Sequence, residues 1–147
     1  MAQLDDRELA VQLYNRCWEL LETPRDERDD VELLTAAFSS RYHWLSGGAS
    51  EQWIVSDWMV ARAAAAVGNG ELALLFAKRA HGAAQESESP DWLEASTAEG
   101  VARAYAALGD AEEFNHWSAL ATRLIGAIAD PEDQSLIASQ LADLEAP

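Results

Sequence analysis

Val60-Ala61-Arg62-Ala63-Ala64-Ala65-Ala66-Val67-Gly68 and Val101-Ala102-Arg103-Ala104-Tyr105-Ala106-Ala107-Leu108-Gly109 are near-copies of one phrase. The offset between them is 41 residues (109 − 68), and it persists downstream: Glu71 falls on Glu112, Ala80 on Ala121 and Pro90 on Pro131. Self-similarity at a fixed period in this range marks stacked supersecondary units that bury a continuous core only together. The alanine-rich phrase suits helices, and the glycine closing each copy suits a tight turn between two of them.

Working outward, each copy sits in a helical hairpin. Ser50 is a plausible N-cap for a helix over 51–67, which Gly68-Asn69-Gly70 closes before a second helix to about Gln85. Ser89-Pro90 restarts the pattern, with serine as cap and proline at the first helical position. The next helix runs over 91–108. Gly109 ends it, and Asp110 with Glu113 opens a partner helix reaching about Ile128. Asp130-Pro131 caps a last helix over 131–145, with Leu136, Ile137, Leu141 and Leu144 on one face. Upstream, Ala10, Leu13, Tyr14, Cys17, Leu20 and Leu21 recur at helical spacing from Leu4 to Leu21, where Thr23-Pro24 stops the helix. Pro24 to Asp30 reads as a charged loop. A second helix follows from about Val31, with Leu34, Ala37, Phe38, Tyr42 and Leu45 as its stripe, until Ser46-Gly47-Gly48 breaks it. The expectation is one all-α domain over 1–147: hairpins at about 4–45, 51–85 and 91–128, plus a C-terminal capping helix at about 131–145.

The repeats resemble the tetratricopeptide signature. Val60 and Val101 take the first-helix aliphatic position, Ala61 and Ala102 the small position beside it, and Ala64 and Tyr105 the position of the usual aromatic. Gly68-Asn69 and Gly109-Asp110 form the turn, Ala80 and Ala121 the late small position, and Pro90 and Pro131 close the units. The period of 41 exceeds the family's 34 by about two helical turns, which keeps the buried stripe in phase. Phe114 stands where a small residue is expected. The resemblance implies a right-handed α-α superhelix whose first helices line a concave face: Val55, Trp58, Arg62 and Ala65 from one repeat, and Ser96, Glu99, Arg103 and Ala106 from the next. It also implies a protein- or peptide-binding scaffold rather than an enzyme, without the lysine and asparagine set of members that clamp a peptide's C-terminus.

Composition excludes several partners. With 10 basic against 26 acidic residues and a net charge of −16, the chain repels a nucleic-acid backbone and an anionic membrane alike. A single cysteine, Cys17, rules out an internal disulfide. No signal peptide or long apolar run is apparent, which places the protein in the cytoplasm. GxSxG, HExxH, CxxC and glycine-rich phosphate loops are missing, so no catalytic residue, metal site or cofactor is expected.

The candidate site is therefore a binding groove. Arg62 and Arg103 recur at one repeat position and suit bidentate recognition of a carboxylate. Each also has a local partner one turn back, Trp58 for a cation–π contact and Glu99 for an ion pair. A basic or mixed protein or peptide is the expected partner. His43, Trp44, Trp53 and Trp58 with Tyr42 form an aromatic group around Gly47-Gly48, read as one end of the groove, as an alternative small-molecule or metal site, or as a surface for homodimer formation. Glu112 and His116 are a lone i, i+4 ligand pair, too few for a metal centre.

Overall fold

The computed structural model describes residues 3–147 and contains, among them, seven α-helices and no strand. They are α1 (Asp6–Leu21), α2 (Glu27–Gly47), α3 (Ser50–Ala66), α4 (Gly70–Glu86), α5 (Asp91–Leu108), α6 (Ala111–Gly126) and α7 (Pro131–Ala142). The most extensive contacts join α1 with α2, α3 with α4, and α5 with α6, and α4 also packs broadly on α5. Consecutive helices therefore form hairpins, and α7 closes on α5 and α6.

The two copies of the phrase fold alike. Val60, Ala61, Ala63 and Ala64 are buried in α3, and Val101, Ala102, Ala104 and Tyr105 are buried at the matching positions of α5. Gly68 and Gly109 both adopt positive φ, 82° and 75°, a conformation that a Cβ would strain. In each case the next residue's N–H reaches back to a helix carbonyl, Asn69 to Ala64 and Asp110 to Tyr105. This satisfies carbonyls that the helix end would otherwise strand. Asn69 and Asp110 then turn forward, and their side chains accept from the Leu72 and Glu113 N–H groups to cap α4 and α6. Small residues bring the axes together: Gly100 of α5 faces the Trp58 indole, and that indole donates to the Ser96 carbonyl at 3.2 Å.

Several boundaries and one face differ from the sequence reading. Asp26 caps α2, accepting from the Asp29 N–H while Asp29 accepts from the Asp26 N–H. The helix thus starts at Glu27, inside the stretch read as a loop; its acidic first turn suits the positive end of the dipole. The buried face of α2 is Leu33, Ala36, Ala37, Ser40 and Trp44. Phe38, Tyr42 and Leu45, expected on the buried stripe, are exposed, Tyr42 by 71%. Packing against α1 decides this, because small side chains allow close approach and the Ser40 hydroxyl donates to the Ala10 carbonyl at 2.8 Å. Ser50 lies inside α3, with Ala49 at its cap. Ser89 is not a forward cap either; its hydroxyl donates back to Ala84 at the end of α4, leaving Pro90 in the cap position of α5. The helices α6 and α7 end at Gly126 and Ala142, short of the expected limits, and on α7 Ile137 is buried while Leu136 is exposed.

No helix among the described residues is long and apolar enough to cross a membrane.

Candidate functional site

The first helices of the three hairpins, α1, α3 and α5, together with α7, surround two adjacent hollows. One is an aromatic slot of about 150 Å³. Its lining comes from Tyr14 and Trp18 on α1, Val55 and Trp58 on α3, Trp92, Leu93 and Ser96 on α5, and Asp133, Leu136, Ile137 and Gln140 on α7. The other, of about 330 Å³, is an arginine pocket: Arg25, Arg62 and Arg103 converge on it among Leu21, Ala65, Ala66, Ala106, Ala107 and Leu144. Helical spacing sets the order, since Trp58 and Arg62 are one turn apart on α3 and Ser96 and Arg103 two turns apart on α5. Thus α3 and α5 run past both hollows, and one of the ten basic residues of this acidic chain reaches the second from each of α3, α5 and the connection after α1.

The three arginines differ in how their charge is met. Arg25 donates from Nε to Asp30 at 2.8 Å, from Nη1 to the Leu20 carbonyl at 3.2 Å, and from Nη2 to the Ala66 carbonyl at 3.4 Å. It thereby joins the C-terminal ends of α1 and α3, where a cation is favoured. Arg103 donates twice to Glu99 Oε1, at 2.6 and 3.1 Å, and to the Gln140 carbonyl of α7 at 3.2 Å. Glu99 is fully buried beneath it, and its Oε2 has no hydrogen-bond partner among the described residues.

Of these three, Arg62 is the one with neither an ion pair nor a hydrogen bond among the described residues. Its guanidinium lies 5.2 Å from the Trp18 ring and 5.8 Å from the Trp58 ring, and its Nη1 is buried without a partner. Burial, reinforced by the charge of Arg103, pulls its pKa down to about 10. Glu99 and Asp143 offset this only in part and at a distance, and a desolvated cation without a direct ion pair is costly, so the pocket favours an anion.

Of the residues expected in the site, the structure gathers Trp58, Arg62 and Arg103 around the two hollows and buries Glu99 below them. The aromatic group around Gly47-Gly48 is split. Trp44 shares a hollow with Tyr14, Val55, Trp92 and the Glu51 carboxylate. Trp53 points toward a different one with Asp57 and Arg79, its indole donating to the Trp44 carbonyl at 2.9 Å. Tyr42 stands in solvent, and His43 Nδ1 is 2.8 Å from Asp6 Oδ1. Cys17 is fully buried, and burial raises its thiol pKa to about 11, so it holds its proton and packs as a small apolar group.

The sequence reading passed over Arg25, Trp18 and Trp92. A basic residue directly after the proline that ends a helix is a signal for Arg25. A tryptophan on the first helix of every hairpin, Trp18, Trp58 and Trp92, is the corresponding signal for the slot.

No family model, curated protein or solved structure matches the chain.

Proposed function

We propose that the protein is a non-enzymatic scaffold, a tetratricopeptide-like array whose concave side binds a carboxylate-bearing segment of another protein or peptide. The observation that carries this reading is Arg62: a half-buried guanidinium lying over two indoles, with no carboxylate paired to it, lining a pocket beside Arg103 and Arg25. Arg103 is already neutralised by Glu99 and positioned by Gln140. It therefore shapes the pocket while Arg62 supplies the unspent donors. An aspartate or glutamate side chain, or a chain-terminal carboxylate, meets a planar donor fork there in a desolvated setting, where charge-assisted bonds are strongest. The surrounding negative charge selects partners that are otherwise basic or neutral.

Trp18 and Trp58 report on this site, because a carboxylate arriving at Arg62 changes the field on both indoles. Titrating short acetylated peptides with free C-terminal carboxylates or acidic side chains, against their amidated or glutamine counterparts, is expected to change tryptophan emission only for the carboxylates. Arg62→Gln is expected to weaken binding by about 30-fold, as loss of a charge-assisted pair implies, and Arg62→Lys to recover part of it. Equal binding by wild type and Arg62→Gln would overturn the reading.

A further inference from the structure

We propose that the aromatic slot between α1 and α7 is a second and separate site, one that receives an alkylated ammonium head group. Tyr14, Trp18, Trp58 and Trp92 line a space of about 150 Å³, with Tyr14 edge-on to Trp18 at 6.4 Å and Trp18 tilted against Trp58 at 6.0 Å. That volume suits a trimethylammonium group, being comparable to cavities that hold one benzene-sized guest. A ring face attracts a cation through its quadrupole, indole most strongly, and more so when water is excluded.

The charges around the slot select the sign of the guest. None of its lining residues is basic, and one, Asp133 at the N-terminal turn of α7, is a carboxylate. Asp133 has no salt bridge and no side-chain hydrogen bond among the described residues, so its charge is unspent. Glu51 lines the adjoining hollow, which shares Tyr14, Val55 and Trp92 with the slot. The chain's net charge of −16 raises the local concentration of cations further. An anion finds no donor fork here, and a neutral apolar guest leaves Asp133 unused. Arg62 already lies over Trp18 and Trp58 from the side of the arginine pocket, so a cation in the slot relies on Tyr14, Trp92 and the Asp133 and Glu51 carboxylates to offset that charge. A bulky ammonium with methyl groups suits the slot better than a bare one, because its weak hydration costs less to remove and its methyls contact the Val55, Leu93 and Ile137 side chains.

The two walls of the slot belong to elements whose backbones do not approach each other closely, α1 packing on α2 and α3 and α7 on α5 and α6. A head group on a small molecule and one at the tip of a modified lysine side chain present the same chemistry to it.

The test compares choline with 3,3-dimethylbutan-1-ol, its neutral isostere of equal shape, by ligand-observed NMR and by the indole N–H resonances of the intact protein. Choline is expected to bind at least about tenfold more tightly, the preference one or two cation–π contacts supply, and to move the Trp18, Trp58 and Trp92 resonances. Asp133→Asn, a change at a partly exposed position, is expected to weaken choline severalfold and leave the alcohol unaffected. Trp92→Leu keeps an apolar wall and is expected to reduce the choline preference, with its fold checked by circular dichroism. An acetylated Nε-trimethyllysine amide identifies the source of the head group: tighter binding than choline points to a side chain, weaker binding to a free molecule. Equal binding of choline and the alcohol would make the slot merely apolar and overturn the proposal, as would no binding of any ammonium. Neither result bears on the carboxylate site, whose titrations use anionic peptides.

Discussion

At the scale of single residues, Arg62 and Arg103 occupy the same position in two copies of one phrase and live under opposite electrostatic conditions. Arg103 covers a fully buried glutamate, so removing it strands a charge with no other partner. Arg62 carries its charge into a half-buried site without an ion pair, Glu99 and Asp143 acting on it only at longer range. Arg103→Met is therefore expected to lose about 3–5 kcal/mol of folding stability, whereas Arg62→Met is expected to stay within about 1 kcal/mol of wild type or to gain. Urea denaturation of the two variants checks this, and the reverse order would mean that the cation–π contact with Trp18 and Trp58 outweighs the desolvation of Arg62. A residue whose removal costs no stability but abolishes binding is what a functional position looks like. The i, i+4 partners of both arginines were readable in advance because helical spacing fixes neighbours within a helix. For Arg25 the proline before it signals a cation at the end of α1, but its bond to the Ala66 carbonyl of α3 crosses 41 residues and was not readable.

At the scale of elements, Gly47 of α2 and Gly82 of α4 make opposite demands. A Cβ at Gly47 would lie 2.6 Å from the Arg7 backbone nitrogen, so Gly47→Ala forces the end of α2 off the start of α1. Gly82, in the body of α4, has nothing within 4 Å of the same position. Gly47→Ala is expected to destabilise by about 1–3 kcal/mol and Gly82→Ala to stabilise by about 0.5–1 kcal/mol, shifts that thermal unfolding resolves. If both alanines behaved alike, the close contact of α1 with α2 would be in doubt. The same contact explains why the face of α2 was misread. That helix touches both α1 and α3, so apolar residues cover a wide arc of it, and periodicity by itself does not rank one edge of the arc above the other. Close approach to α1 favours Ala36, Ala37 and Ser40 and turns Phe38 and Tyr42 outward.

Across the whole molecule, 26 acidic residues against 10 basic ones leave a net charge of −16, and the excess negative charges repel one another within a small volume. Raising sodium chloride from about 0.01 to 0.5 M shortens the range of that repulsion from roughly 30 Å to a few ångströms. The thermal midpoint is accordingly expected to rise with salt, and a steady fall would mean that ion pairs such as Arg41–Asp57 and Arg16–Glu32 outweigh the net charge. The placement of seven helices, the two glycine turns and the cap residues Asp110 and Asp130 was legible in the chain, because each depends on residues within a turn or two of one another. The joining of Trp18, Trp58 and Trp92 with Asp133 in one slot, the stranding of Arg62, and the burial of Glu99 were decided only in three dimensions. They depend on how far α1 and α7 stand apart across α3 and α5, a distance set by side-chain volumes at every intervening contact and encoded at no single position.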